Sequence, residues 1–279
     1  MSSAISYPDS LVLGVVEGLT EFLPVSSTGH LNVTESLLGI PVEAPAVTSF
    51  TAIIQLGAIV ATFLYFRHDI ARLCVAWVRG LRDPACRTRR DYRLAWSVIA
   101  GSIPITVVGF ATRDLVAGPL RNLWVVATAL IAWSAVMVTA ERRPLQKYSE
   151  EELTLRQVIT IGLVQCAALI PGVSRSGATI SAGLLVGATR VAATRLSFFL
   201  AIPALTGAGL FELRKVDTSV VGWGPLLVGT LVSFGVAYAS IAWLLRLVSH
   251  RPITVFVVYR VLAGVTLIGL LAAGMVSAT

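Results

Sequence analysis

Six stretches of the chain, 47–66, 94–112, 122–140, 190–211, 223–245 and 253–274, run with almost no polar interruption. Each is close to the roughly 20 residues a helix needs to cross the hydrocarbon core of a bilayer. Their apolar positions are consecutive and do not alternate. That pattern belongs to helices and not to the strands of a closed barrel, the other backbone arrangement lipid permits. Two further apolar stretches, 8–39 and 154–187, are broken in the middle by Pro, Gly and Ser. Pro24 and Pro171 each remove a backbone donor at the break, which a straight spanning helix does not tolerate without compensation. Irregular backbone at membrane depth survives only where it faces protein or a wet cavity. Both stretches are therefore expected to be re-entrant helical hairpins, the first opening on the outer face and the second on the inner.

The two broken stretches resemble each other. GVVEGLTEFLPVSSTG (14–29) parallels GLVQCAALIPGVSRSG (162–177), with the proline displaced by one residue. Each is followed by three spans, an odd number, so two copies would sit in opposite orientations. The expected fold is an all-α integral membrane protein with about six transmembrane helices plus two re-entrant hairpins. These form an inverted repeat, 1–146 and 147–279, within a single membrane domain, and the two breaks should meet near the midplane.

Composition supports lipid as the solvent: 13% of the 279 residues are charged, against about 25% in a soluble domain. The formal net charge of +7 would suit a nucleic-acid partner, but its placement has a simpler cause. Arg67, Arg72, Arg79, Arg82, Arg87, Arg89, Arg90 and Arg93 fall in one connection, read as a loop. Arg142, Arg143, Lys147, Arg156, Arg190, Arg195, Arg246 and Arg251 fall in others on the same side, and the opposite side holds Arg113, Arg121, Arg214 and Lys215. The positive-inside rule puts the larger group in the cytoplasm, so both termini and the mouth of the first hairpin are expected outside. No nucleic acid is needed. The N-terminal MSSAISYPDS lacks a positive n-region, which argues against a cleaved signal peptide. Cys74, Cys86 and Cys166 have no metal-binding spacing.

Ionisable groups inside apolar segments are functional candidates by default. Glu17, Glu21, His30 and Arg175 lie close to the two breaks. Glu17 and Glu21 are four residues apart and share a helix face, so their repulsion calls for a cation or a proton. A hard divalent ion suits them; the alternative is a partly protonated pair, or one facing an interfacial loop. Ser26, Ser27, Thr28 and Gly29 follow Pro24 and can bring backbone N–H groups and hydroxyls to an anion, or simply cap a helix. His30 fits a general acid/base or a nucleophile. Arg175 sits among Ser174, Ser176 and Thr179, and its planar fork matches phosphate oxygens; the alternative is a structural bridge to Glu17 or Glu21. Glu35 and Glu212 lie near segment ends, where solvation is expected, and Arg260 has no assignable role. No phosphate loop, dinucleotide fingerprint, HExxH or zinc spacing competes.

At these residues the chain resembles the undecaprenyl-diphosphate phosphatases, the bacitracin-resistance type. EGLTEFLPVSSTGHL (17–31) is similar to their first signature and PGVSRSGAT (171–179) to their second. The likeness continues through FTAIIQLGAIVA (50–61), LSFFLAIPALTGAGLFEL (196–213) and FVVYRVLAG (256–264), and so spans nearly the whole chain. Asn32 departs from it, standing where the family continues with an apolar residue. The resemblance implies hydrolysis of undecaprenyl diphosphate to undecaprenyl phosphate and inorganic phosphate, at a bacterial inner membrane, for peptidoglycan synthesis. It also implies a divalent cation, Mg²⁺ or Ca²⁺, and bacitracin resistance. Glu21, Ser27, His30 and Arg175 would then be catalytic, with Ser27 attacking and Glu21 or His30 taking its proton; water or His30 as nucleophile stays open. Ser26, Thr28, Ser174, Ser176 and Thr179 would bind substrate, and Glu17 with Glu21 would hold the metal. The partners implied are the polyprenyl diphosphate and membrane lipids, and a homodimer is compatible. The rival class is an ion-coupled transporter or lipid flippase, which would release no phosphate.

Overall fold

The computed structural model describes residues 5–41, 44–120, 122–143, 146–213 and 222–278. Helices α1 (Tyr7–Thr20) and α2 (Ser27–Leu37) form the first broken pair. They are followed by α3 (Pro45–Tyr65), α4 (Arg67–Arg82), α5 (Arg90–Ala111), the short α6 (Arg113–Ala117) and α7 (Leu123–Glu141). The second broken pair is α8 (Leu155–Gln165) and α9 (Arg175–Leu185), followed by α10 (Arg190–Leu213), α11 (Trp223–His250) and α12 (Val255–Ala272). Among the described residues, six helices are long and apolar enough to cross a membrane: α3, α5, α7, α10, α11 and α12. They coincide with the six expected spans, with ends displaced by a few residues. Arg121, Arg214 and Lys215 lie outside the described residues, and so does the side chain of Glu212.

The outward surface carries Phe63, Ile103, Val107, Phe110, Leu231 and Leu262, all exposed. In water this would be a large apolar patch; against acyl chains it is the matching surface. Trp124 and Trp223 are exposed at the first turns of α7 and α11, where amphipathic rings anchor helices at the headgroup level.

The connection 67–93 is not the loop expected from its charge. Most of it is α4, whose apolar residues Ile70, Leu73 and Trp77 recur at helical spacing and pack on the core. Its arginines are too many for a span but suit an amphipathic helix. Arg72 pairs with Asp69, Asp91 and Glu151, and Arg195 reaches Asp69 and Glu150, so ion pairs tie α4 to α5, α10 and the segment before α8.

Packing pairs follow a consistent scheme. Helix α1 lies along α11, and α8 lies along α5; α3 meets α10, and α7 meets α12. Exchanging the two halves converts the first contact into the second and returns the other two to themselves. Close crossings depend on glycine. A Cβ on Gly14 would stand 2.6 Å from the Gly229 carbonyl oxygen on α11, and one on Gly162 would stand 2.0 Å from that of Gly101 on α5. Small residues at such crossings let membrane helices approach closely enough for dispersion to hold them.

Candidate active site

The two broken pairs match position by position, 148 residues apart. Ser6 caps α1 in a reciprocal box with Asp9, and Thr154 caps α8 in the same box with Gln157. Gly39 and Gly187 both turn the chain with positive φ. The breaks end at Ser26 and Ser174, each with φ of 76°, a conformation that costs a non-glycine residue about 1–3 kcal/mol. Both positions hold serine because the hydroxyl is used. Ser26 Oγ accepts the Gly172 N–H at 3.1 Å, so it binds the opposite break. Ser174 Oγ accepts from Gly177 N and donates at 3.5 Å to the Leu23 carbonyl, which also accepts Ser176 Oγ at 2.8 Å.

Arg260 closes this junction. The residue is fully buried on α12, and its two terminal nitrogens donate to the Pro24 carbonyl at 2.8 Å and the Gly172 carbonyl at 2.9 Å. Nε faces Ser134 Oγ at 3.3 Å. Pro24 and Gly172 are themselves 148 residues apart. One planar guanidinium therefore grips equivalent carbonyls of both breaks, a geometry lysine cannot reproduce.

Over this junction lie Glu21, Ser27 and Arg175. Ser27 Oγ donates to Glu21 Oε2 at 2.6 Å, and Gln55 Nε2 donates to the same oxygen at 3.3 Å. Arg175 pairs with Glu21 Oε1 at 3.3 Å and donates to the Ser197 carbonyl at 3.1 Å, while its buried Nε has no hydrogen-bond partner. Glu21, Ser27 and Arg175, from two distant stretches of sequence, thus share one carboxylate. The first turn of α9 is capped by Ser174, but α2 has no side-chain cap, because Ser26 has turned to the other break. The first N–H groups of α2 remain available to an anion beside Ser27.

The other expected site residues divide. Thr28 is exposed on the first turn of α2 and lines a cavity of about 160 Å³ together with Ser27 and Glu17. His30 uses Nδ1 toward the Ser26 carbonyl at 2.7 Å and Nε2 toward the Tyr259 hydroxyl at 2.5 Å. A carbonyl only accepts, so Nδ1 carries the proton and Nε2 accepts from tyrosine. Both ring nitrogens are thus engaged away from Ser27, and the carboxylate in contact with Ser27 is that of Glu21. The hydroxyls of Ser174, Ser176 and Thr179 are buried, and those of Ser176 and Thr179 donate to backbone carbonyls. In this structure the protons of Ser176 and Thr179 are thus directed at the frame. Glu35, expected to be solvated near a segment end, is fully buried, because it faces the cavity lined by Glu17 of α1 and Thr51 and Gln55 of α3. Gln55, Tyr259 and Arg260 are functional neighbours that sequence reasoning missed or left unassigned; a lone polar side chain inside an apolar span was their signal.

A divalent ion fits the acidic side of the site. Both Glu17 carboxylate oxygens are buried and have no hydrogen-bond partner, the state expected of a ligand to a hard cation. Among the described residues, no three His, Cys, Asp or Glu side chains form a ready-made cage, so phosphate oxygens and water would have to complete the shell.

A polytopic helical bundle with a serine, a carboxylate and an arginine at the meeting point of two broken helices defines a membrane protein with an embedded anion-handling site. The family model described as Bacitracin resistance protein BacA matches residues 10–266, and the chain belongs to that family. It is 56% identical to Undecaprenyl-diphosphatase 3 of Frankia casuarinae over 274 residues, 97% of this chain and 99% of the relative. It is 55% identical to Undecaprenyl-diphosphatase 1 of Streptomyces coelicolor, covering 98% and 99% of the two chains. Identity is 45% to the Undecaprenyl-diphosphatase of Corynebacterium diphtheriae, over 99% of this chain and 98% of the relative.

Proposed function

We propose that this protein is a membrane-embedded phosphatase that hydrolyses undecaprenyl diphosphate to undecaprenyl phosphate and inorganic phosphate. This activity returns the lipid carrier to peptidoglycan synthesis and confers bacitracin resistance. The observation that carries the reading is the 2.6 Å contact of Ser27 Oγ with a Glu21 carboxylate that also holds Arg175.

In the mechanism these groups support, Ser27 Oγ forms a bond to the terminal phosphorus as its proton passes to Glu21. The phosphoanhydride bond breaks, and Glu21 delivers the proton to the departing lipid phosphate. Water then attacks the phosphoserine, its proton passes through Glu21 to Ser27 Oγ, and inorganic phosphate leaves. Arg175 and the first N–H groups of α2 bind the phosphate oxygens, and their preorganisation supplies most of the acceleration, as is usual in phosphoryl transfer. Glu17 and Glu21 would hold a Mg²⁺ or Ca²⁺, which would supply positive charge where negative charge gathers.

The frame is read as two inverted copies, 1–146 and 147–279, with both broken pairs re-entrant. The reciprocal packing pairs and the matched caps, turns and φ values support this plan. Charge supports a site open to the periplasmic or extracellular side, both termini outside, since the basic helix α4 lies at the opposite end. The test is phosphate release from undecaprenyl diphosphate by protein purified in detergent. Wild type releases phosphate and Ser27→Ala does not; a flippase without hydrolysis would release none in either case.

A further inference from the structure

The cavity beside Ser27 contains more buried polar groups than the reaction at Ser27 uses. Glu17 enters it from α1, Asn32 and Glu35 from one face of α2, and Thr51 and Gln55 from one face of α3. Glu17 is 1% exposed and Glu35 0%. Asn32, the residue that departs from the family resemblance, is 2% exposed, and neither of its amide atoms has a hydrogen-bond partner. Neither carboxylate oxygen of Glu17 has one. Buried polar groups are nearly always paired, and a buried carboxylate is stable as an ion only against a countercharge. Arg175 makes its ion-pair contact with Glu21 and none with Glu17. Glu21 in turn is engaged by Ser27, Gln55 and Arg175.

The oxygens of two carboxylates, of amides and of several hydroxyls around a cavity of about 160 Å³ are the donor type that a hard divalent cation takes. We propose that this cavity is a divalent-cation site whose protein ligands are Glu17, Glu35 and the amide oxygen of Asn32. The proposal rests on the reading that the reaction uses a divalent cation, and it moves the ligands from the Glu17–Glu21 pair to the side of Glu17 facing α2. Glu21 is thereby left free to act as base. The ion lies against Ser27, which also lines the cavity, so it can meet the terminal phosphate on arrival.

The test titrates Mn²⁺ alone into full-length protein in detergent, following the free-ion EPR signal and the melting temperature. Wild type should take up one ion and melt higher with it. The near-isosteric Glu35→Gln and Asn32→Leu should each weaken uptake by about tenfold or more and lose the thermal shift, while Glu21→Gln keeps both. If Glu21→Gln abolishes uptake and Glu35→Gln does not, the ion sits between Glu17 and Glu21; the proposal falls and the cation reading stands. If wild type takes up no Mn²⁺, the proposal also falls. Chelator sensitivity of phosphate release on the same preparation then shows whether the cation reading falls with it. Should Glu35→Gln fail to fold, Glu35→Asp replaces it, since its shorter arm withdraws the carboxylate without removing the charge. Weakened uptake is expected, and unchanged uptake overturns the assignment.

Discussion

Replacing Arg260 with lysine or methionine tests whether the register of the two breaks, as distinct from the fold, sets the rate. The guanidinium makes two short bonds to carbonyls, at 2.8 and 2.9 Å, from a fully buried position. A hydrogen bond to a charged group contributes about 1.5–3 kcal/mol. Lysine can reach one carbonyl but not both, so it loses about one such bond and one break loosens. Methionine loses both, yet it also removes a buried cation whose desolvation costs several kcal/mol. Its net stability should therefore stay near wild type. What both variants lose is the shared grip on Pro24 and Gly172. Displacing reacting groups by about 1 Å costs roughly 10²-fold in rate, because Ser27 and Arg175 then no longer meet one phosphate together. The assay is kcat and KM for phosphate release beside thermal unfolding in detergent. We expect folded variants with kcat lowered about 10²-fold, KM changed little, and partial recovery with lysine. A folded Arg260→Met with wild-type kcat would refute the reasoning. So would a large loss of stability in which the surviving folded protein turns over normally.

Glu21→Gln should lower phosphate release by about 10²-fold or more, because the amide cannot take the Ser27 proton; near-wild-type turnover would remove Glu21 as base. Arg175→Lys should keep much of the substrate affinity and lose roughly 2–4 kcal/mol of transition-state stabilisation, seen in kcat, while Arg175→Ala loses binding as well. Wild-type kinetics from a stable Arg175→Ala would separate the second break from catalysis. A cysteine at Asp114, whose side chain is 94% exposed, should react with impermeant thiol reagents in intact cells lacking the native cysteines. Native Cys86, kept alone at the basic end, should react only after lysis, and the reverse pattern would invert the orientation.

The spans were legible because lipid imposes one simple demand, an unbroken apolar run of helical length, and 47–66 or 253–274 meets it with nothing to compete. The basic connection was not legible in the same way. Charge marks a side of the membrane, but Ile70, Leu73 and Trp77 also give that segment an apolar stripe, and the stripe makes it α4. Glu21, Ser27 and Arg175 stood out as polar groups where the chain breaks. Which of their neighbours act and which support them depends on which hydroxyl protons are already donated, and only contacts decide that. Ser176 and Thr179 look like phosphate ligands in sequence, yet both donate to backbone carbonyls. Glu35 lies at a helix end in sequence and inside the protein in space.

Matched backbone with unmatched side chains explains how one frame produces a one-sided site. The breaks share a φ of 76° at Ser26 and Ser174, but at the next position the first carries Ser27 and the second Arg175. Glu17 corresponds to Gln165 and Glu21 to Leu169. In the proposed mechanism the acidic groups and the attacking hydroxyl therefore come from one break, and the guanidinium that would bind phosphate from the other. Gln165 is fully buried with neither amide atom hydrogen-bonded, so the second pair keeps the polar position but not the charge. Had both breaks carried carboxylates, two acidic clusters would face each other across the junction with no guanidinium to offset them. Had both carried arginine, no base would stand beside a serine. Phosphoanhydride hydrolysis is served by positive charge on the phosphate oxygens together with a group that takes the nucleophile's proton. Two nearly equivalent breaks, pinned at Pro24 and Gly172 by a single buried arginine, meet that need because their chemistry differs while their backbones agree.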